Sequence, residues 1–154
     1  MIKCSLLLVA MLALLSACSG DPESPEEQIR EMLGAGEEAV EARSIMTVLG
    51  FISSDYRDKL GRQKMDIQRL IAGYIFRNKS IHLLTRVQQV ALSDDNNQAD
   101  VILYVGMSGV PMKAVEQLQF VRADLYRFDL SVRLEDGDWR VTAGSWHQAG
   151  FKDF

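Results

Sequence analysis

Apolar residues recur along most of this chain at spacings that change period once, near residue 79. After the unbroken apolar run Leu6–Leu15, Ser24-Pro25-Glu26-Glu27 has the form of a helix start: a capping serine, proline at the first helical position and acids in the first turn. Ile29, Met32, Leu33, Gly36 and Val40 then fall three and four apart, which predicts one face of a helix. Ile45, Val48, Leu49 and Ile52 continue the spacing, so the helix either bends or restarts near Ser44. Ser53–Tyr56 breaks the pattern, Gly61 marks another stop, and Ile67, Leu70, Ile71, Tyr74 and Ile75 predict a further helix over 64–76.

Beyond Asn78 the period falls to two. Residues 81–92 read as a strand ending at the polar turn Ser93–Asn97, and Ala99, Val101, Leu103 and Val105 set the second. Residues 106–113 form an unusually apolar connection, either a partner contact or a flap. A long third strand is expected over 118–135, where Tyr126, Phe128, Leu130, Val132 and Leu134 alternate with Arg127, Asp129, Ser131, Arg133 and Glu135. Asp136-Gly137 is the strongest hairpin signal in the chain, and residues 139–147 return as the fourth strand. Helices followed by an antiparallel meander predict an α+β domain, its N-terminal helices packed on a curved four-stranded sheet.

Composition adds a subtraction. The 154 residues are 47% hydrophobic and 25% charged with a net charge of −4, an average globular profile. The first seventeen residues hold a single charge, Lys3, and skew that average. A mildly acidic chain without a basic block argues against nucleic acid as a partner. The opening segment reads as a secretory signal, since its apolar run is well short of the roughly 20 residues a spanning helix needs. Leu15-Ser16-Ala17-Cys18 resembles the lipobox of bacterial lipoproteins. The resemblance implies a signal peptide over 1–17, lipid attachment at Cys18 and a tether over 18–25. It also implies a Gram-negative envelope location, with Ser19 favouring the outer membrane on its periplasmic side. Cys4 is then discarded and Cys18 acylated, which leaves no disulfide.

The order of elements, Phe51–Asp58 between the helices and the Leu134–Val141 hairpin together resemble the nuclear transport factor 2-like superfamily, the cystatin-like α+β cone that includes SnoaL-like proteins. The resemblance covers about 26–148, leaving 149–154 as a tail. It implies a pocket inside the cone, which some members use for isomerase or cyclase chemistry and others for binding alone. An uninterrupted two-residue turn pairs Leu134 with Trp139, Val132 with Val141, Phe128 with Ser145 and Tyr126 with His147. Tyr74, Tyr126, Phe128 and His147 are then the ligand-pocket candidates, and His147 is the one candidate for proton transfer. The plainer reading of His147 is a half-exposed structural histidine at a strand end, which a single bulge turns outward. The third strand's inward series, read from Tyr126 to Leu134, holds no carboxylate, and that favours a binding module over an enzyme. The same register puts Arg127, Arg133, Arg140 and Trp146 on the open face, where Arg127 and Trp146 suit a partner, including a second copy. With two distant histidines and no phosphate loop, neither a metal nor a cofactor is expected.

Overall fold

The computed structural model describes residues 23–121 and 123–153; the signal segment, Cys18 and the first tether residues lie outside the described residues. Helix α1 spans Pro25–Glu41. Its entry is a reciprocal cap: the Glu27 amide donates to Ser24 Oγ at 3.3 Å, and the Ser24 amide donates to the Glu27 carboxylate at 2.8 Å. The chain then turns through Arg43, a non-glycine residue at φ 60°. The Arg43 guanidinium donates to the Ile75 carbonyl at 2.8 Å and to the Lys79 and Asn78 carbonyls, closing the C-terminal end of a later helix. The pattern that bent or restarted near Ser44 restarts, as a short helix α2 over Ile45–Gly50. Helix α3 occupies Lys64–Arg77.

Four antiparallel strands follow in sheet order β1-β2-β3-β4: β1 His82–Leu92, β2 Gln98–Ser108, β3 Ala123–Glu135 and β4 Asp138–Gln148. The third strand thus begins five residues later than its alternation predicts. Leu118 lies in a 3₁₀ turn, Val115–Gln119, where it is buried, and Gly106–Ser108 extend β2 rather than opening the connection. Asp136 and Gly137 both take positive φ, 53° and 90°, as a tight hairpin of matching twist requires.

The helices cover one sheet face, which collects Leu83, Ala99, Val101, Leu103, Val105, Val132 and Trp139 against Ile29 and Ile75. Ile29, Val101 and Val132 lose essentially all contact with water, each removing apolar area that stabilises by about 1.5–3 kcal/mol. Trp139 is tied to α1 by its indole N–H, which donates to Gln28 at 3.0 Å. The outer edge of β4 is closed by the segment after α2. The Val141 amide donates to the Phe51 carbonyl at 2.8 Å and the Ser53 amide to the Val141 carbonyl at 3.0 Å, giving a short parallel bridge at Ile52.

Two bulges decide which side chains enter the cone. One falls between Val87 and Gln89 in β1. The other inserts Thr142 in β4: Val132 still faces Val141, but Ser131 faces Ala143. Every β4 residue after Thr142 therefore points to the face opposite the one that simple alternation assigns.

Candidate functional site

The bulge overturns the expected pairing of Tyr126 with His147. Tyr126 faces Gln148, Phe128 faces Trp146, and His147 faces Arg127 on the outer side of the sheet. His147 is exposed there and leaves the pocket set, and with it goes the proton-transfer role proposed for that residue inside the cone. Trp146 makes the opposite move. It leaves the predicted partner surface beside Arg127 and joins the helix-facing side. Of the four predicted pocket residues, Tyr74, Tyr126 and Phe128 share that side.

The inner aromatic wall runs across β3 and β4, at the end of the sheet where β3 begins. Tyr126 and Phe128 lie 6.4 Å apart at 58°, and Phe128 and Trp146 stack at 6.0 Å and 29°. Such geometries contribute roughly 0.5–1.5 kcal/mol per pair beyond the area they bury. All three rings are half-buried, so part of each remains open to an incoming apolar group. The Arg62 guanidinium carbon sits 4.0 Å from the Trp146 ring centre and covers one end of the wall.

Arg62 is held in place by a buried carboxylate. Asp58 accepts from Arg62 Nε at 2.6 Å, from the Arg62 amide at 3.0 Å and from the Leu60 amide at 2.9 Å. Burial pushes the Asp58 carboxyl up, but the Arg62 contacts and the Leu60 amide outweigh it and hold the group below the usual carboxylate range. Tyr56 packs beside this pair, and its phenol is pushed up to about 12 by burial and by the Asp58 charge. Gly144 admits the Tyr56 ring: a Cβ there would lie 3.0 Å from Leu130 Cδ2 and 3.5 Å from the Tyr56 oxygen.

A carboxylate that the sequence reading missed stands at the start of β3. Asp124 faces Met107 and continues the inward series of β3 by one more step beyond Tyr126. The expectation of an inward series without an acid is therefore corrected; running the alternation two residues further back would have found it. Asp124 is exposed, and its charge reaches Tyr74, whose phenol is raised by burial first and by Asp124 and Tyr126 next. Asp100, by contrast, lies on the outer face and accepts from Ser131 Oγ at 2.9 Å.

On that outer face Arg127 pairs with Asp129 at 2.6 Å, and Arg133 with Glu135. The Glu135 carboxyl is pushed up by burial, but hydrogen bonds from Arg133 and Ser53 bring it below its ordinary value. Two hollows open away from the aromatic wall. One of about 820 Å³ lies by the start of α1 and the β3–β4 hairpin, between Glu23, Glu31, Phe51 and Asp138; one of about 320 Å³ lies beside Asp58, Asp100, Asp129 and Ser145. Among the described residues no three His, Cys, Asp or Glu side chains converge as metal ligands. No helix among them is long and apolar enough to cross a membrane.

No family model and no curated protein matches the sequence. Solved structures do match in shape. A ketosteroid isomerase-like protein from Erwinia carotovora atroseptica superposes with a TM-score of 0.57 at 14% identity, over 80% of this chain and 95% of its own. A protein of unknown function with a cystatin-like fold from Nostoc punctiforme gives 0.58 at 11% identity, over 79% and 89%. A nuclear transport factor 2-like protein of unknown function from Shewanella oneidensis gives 0.59 at 14%, over 79% and 98%. At these identities the likeness carries the fold alone. Three helices on one face of a four-stranded antiparallel meander, matched to these structures over about four fifths of its length, make this chain an α+β cone of the nuclear transport factor 2-like, cystatin-like fold.

Proposed function

We propose that the chain is an envelope lipoprotein, acylated at Cys18, whose cone holds an apolar group of a small ligand or a protein partner against the wall of Tyr126, Phe128 and Trp146. The observation that supports binding is the half-buried aromatic wall that the Thr142 bulge assembles on the helix-facing side. The lipobox-like Leu15–Cys18 and the short polar stretch after it support the anchor. Two or three acyl chains hold a protein to a membrane far more firmly than one.

Binding is tested with phenylnaphthylamine, an apolar fluorophore that brightens out of water. The native chain raises its emission, and Trp146→Ala and Phe128→Ala each remove most of the rise. Emission that ignores both substitutions overturns the binding reading. For the anchor, Cys18→Ser leaves the chain unprocessed or releases it from the membrane fraction, and unchanged extraction refutes lipidation.

Asp124 favours a second reading. A carboxylate whose charge reaches the Tyr74 phenol, on the same strand face as Tyr126, is suited to moving a proton on a carbonyl compound, as an isomerase- or cyclase-like enzyme does. Deuterium exchange next to the carbonyl of tetralone reads it: Asp124→Asn abolishes exchange catalysed by the protein. Self-association through the open face, with Arg127 and Asp129 exchanging partners between copies, is read by sedimentation of the Arg127→Glu variant. The self-association reading falls if the native chain sediments as a monomer.

A further inference from the structure

The aromatic wall carries a cation at one of its ends. Tyr126, Phe128 and Trp146 follow one another at 6.4 and 6.0 Å, and the Arg62 guanidinium carbon lies 4.0 Å from the Trp146 ring centre. The arginine is fixed from behind. Its Nε donates to one oxygen of Asp58 at 2.6 Å, and its own amide donates to the other oxygen at 3.0 Å. The Asp58 side chain is only 2% exposed, whereas that of Arg62 keeps 25% of its surface open. A guanidinium has five N–H donors in a planar fork, and Asp58 takes only the one on Nε. Among the described residues, Arg62 Nη1 and Nη2 make no hydrogen bond, and neither is a buried atom left without a partner. Their N–H groups therefore face water at the end of the wall.

An arginine already held rigid by one carboxylate loses little freedom on gaining a second. Its open donors match a carboxylate two bonds at a time. The corner 57–64 holds Arg57, Lys59, Arg62 and Lys64 against Asp58 alone, so the local charge is positive on a chain of net charge −4. We propose that the wall binds a monocarboxylate with an apolar body. The body lies along Trp146, Phe128 and Tyr126, and the carboxylate docks on the Nη groups of Arg62. A single negative charge is what this site balances. Asp58 already offsets part of the Arg62 charge, which disfavours the two charges of a phosphate head. Asp124, one step beyond Tyr126 on the same strand face, repels a second anionic group at the far end of the wall. Asp58 is then a positioning residue, which aims the fork without touching the ligand. The inference rests on the reading of the wall as an apolar binding site and names the chemistry of its ligand.

The test is displacement of phenylnaphthylamine from the full chain at neutral pH by decanoate and by decanol, which differ only in the head group. Decanoate displaces the probe from the native chain at about one tenth of the concentration that decanol needs. Salt of about 0.3 M narrows that preference. Decanedioate, with a carboxylate at each end, competes more weakly than decanoate. Arg62→Gln combined with Asp58→Asn removes both charges together, so no buried carboxylate is stranded. That variant still brightens the probe and still yields it to decanol, but the preference for decanoate disappears. Arg62→Lys keeps a counter-charge for Asp58 without the fork and cuts the preference to about threefold or less. Should the double variant fail to fold, Arg62→Lys alone decides. The proposal is overturned if decanol or decanedioate competes with the native chain's probe as well as decanoate does. It is also overturned if either variant binds the probe and keeps the full preference. The two failures are distinct. A probe that never brightens with the native chain removes the apolar site and this inference together, whereas a bright probe displaced equally by both competitors removes this inference alone.

Discussion

Asp58 is a buried charge on which the corner before α3 depends, and removing it tests the electrostatic account of the site. The carboxylate accepts two backbone amides and the Arg62 side chain, all within 3.0 Å, and its side chain is only 2% exposed. Asp58→Ala leaves those donors without their acceptor and the Arg62 guanidinium without its counter-charge. Breaking a buried pair from one side costs about 3–5 kcal/mol. Asp58→Asn keeps one carbonyl oxygen for the Leu60 and Arg62 amides but loses the ionic bond, so it costs less, about 1.5–3 kcal/mol. With a urea slope of about 2 kcal/mol per molar, the alanine variant unfolds roughly 2 M earlier than the native chain. Trp146 reports the same event, because Arg62 loses its position over the indole and the emission shifts toward that of an exposed ring. The native advantage also follows pH. The folded carboxyl lies below its unfolded value near 3.8, so its contribution is complete above that value and fades as pH falls through the folded one. The native chain and Asp58→Asn therefore converge in stability in acid. An alanine variant within about 1 kcal/mol of native at neutral pH refutes the argument, since it would show the carboxylate to be already well solvated.

Other predictions follow from single contacts. The Tyr56 phenol, raised to about 12, favours the protonated form in the fold, so it adds stability that is full below pH 10 and lost as pH climbs through 12. Tyrosinate absorbance shows a late phase that Tyr56→Phe removes, and an unchanged profile in that variant counts against the assignment. Gly144→Ala forces a methyl to 3.0 Å from Leu130 and costs about 1–3 kcal/mol by denaturation; a stabilised variant refutes the crowding. Deleting Thr142 removes the extra residue and leaves Val141 and Ala143 in plain alternation, so Trp146 keeps facing Phe128 and His147 stays on the outer side. Iodide then quenches Trp146 no more than in the native chain, whereas stronger quenching means that another residue supplies the bulge.

Much of the architecture is legible in the chain because local chemistry specifies it. Ser24, Pro25 and Glu27 begin α1 by satisfying orphan amides, and Asp136-Gly137 makes the hairpin through positive φ that few other residues tolerate. The change of period near residue 79 separates helices from sheet. The candidate site is legible only in part. Phe128 and Tyr126 follow from alternation, but Asp124 lies just beyond the stretch where alternation is clean. Trp146 and His147 exchange faces for a reason that periodicity does not carry.

By itself, the sequence determined the class of fold, the order of elements, the core stripes and the likeness of its first residues to a lipoprotein signal. Those depend on neighbours within a few positions, where backbone sterics and burial act directly. Tertiary structure alone decided which side chains meet at the aromatic wall. One extra residue in β4, accommodated where the segment after α2 closes the strand edge, inverts everything that follows it.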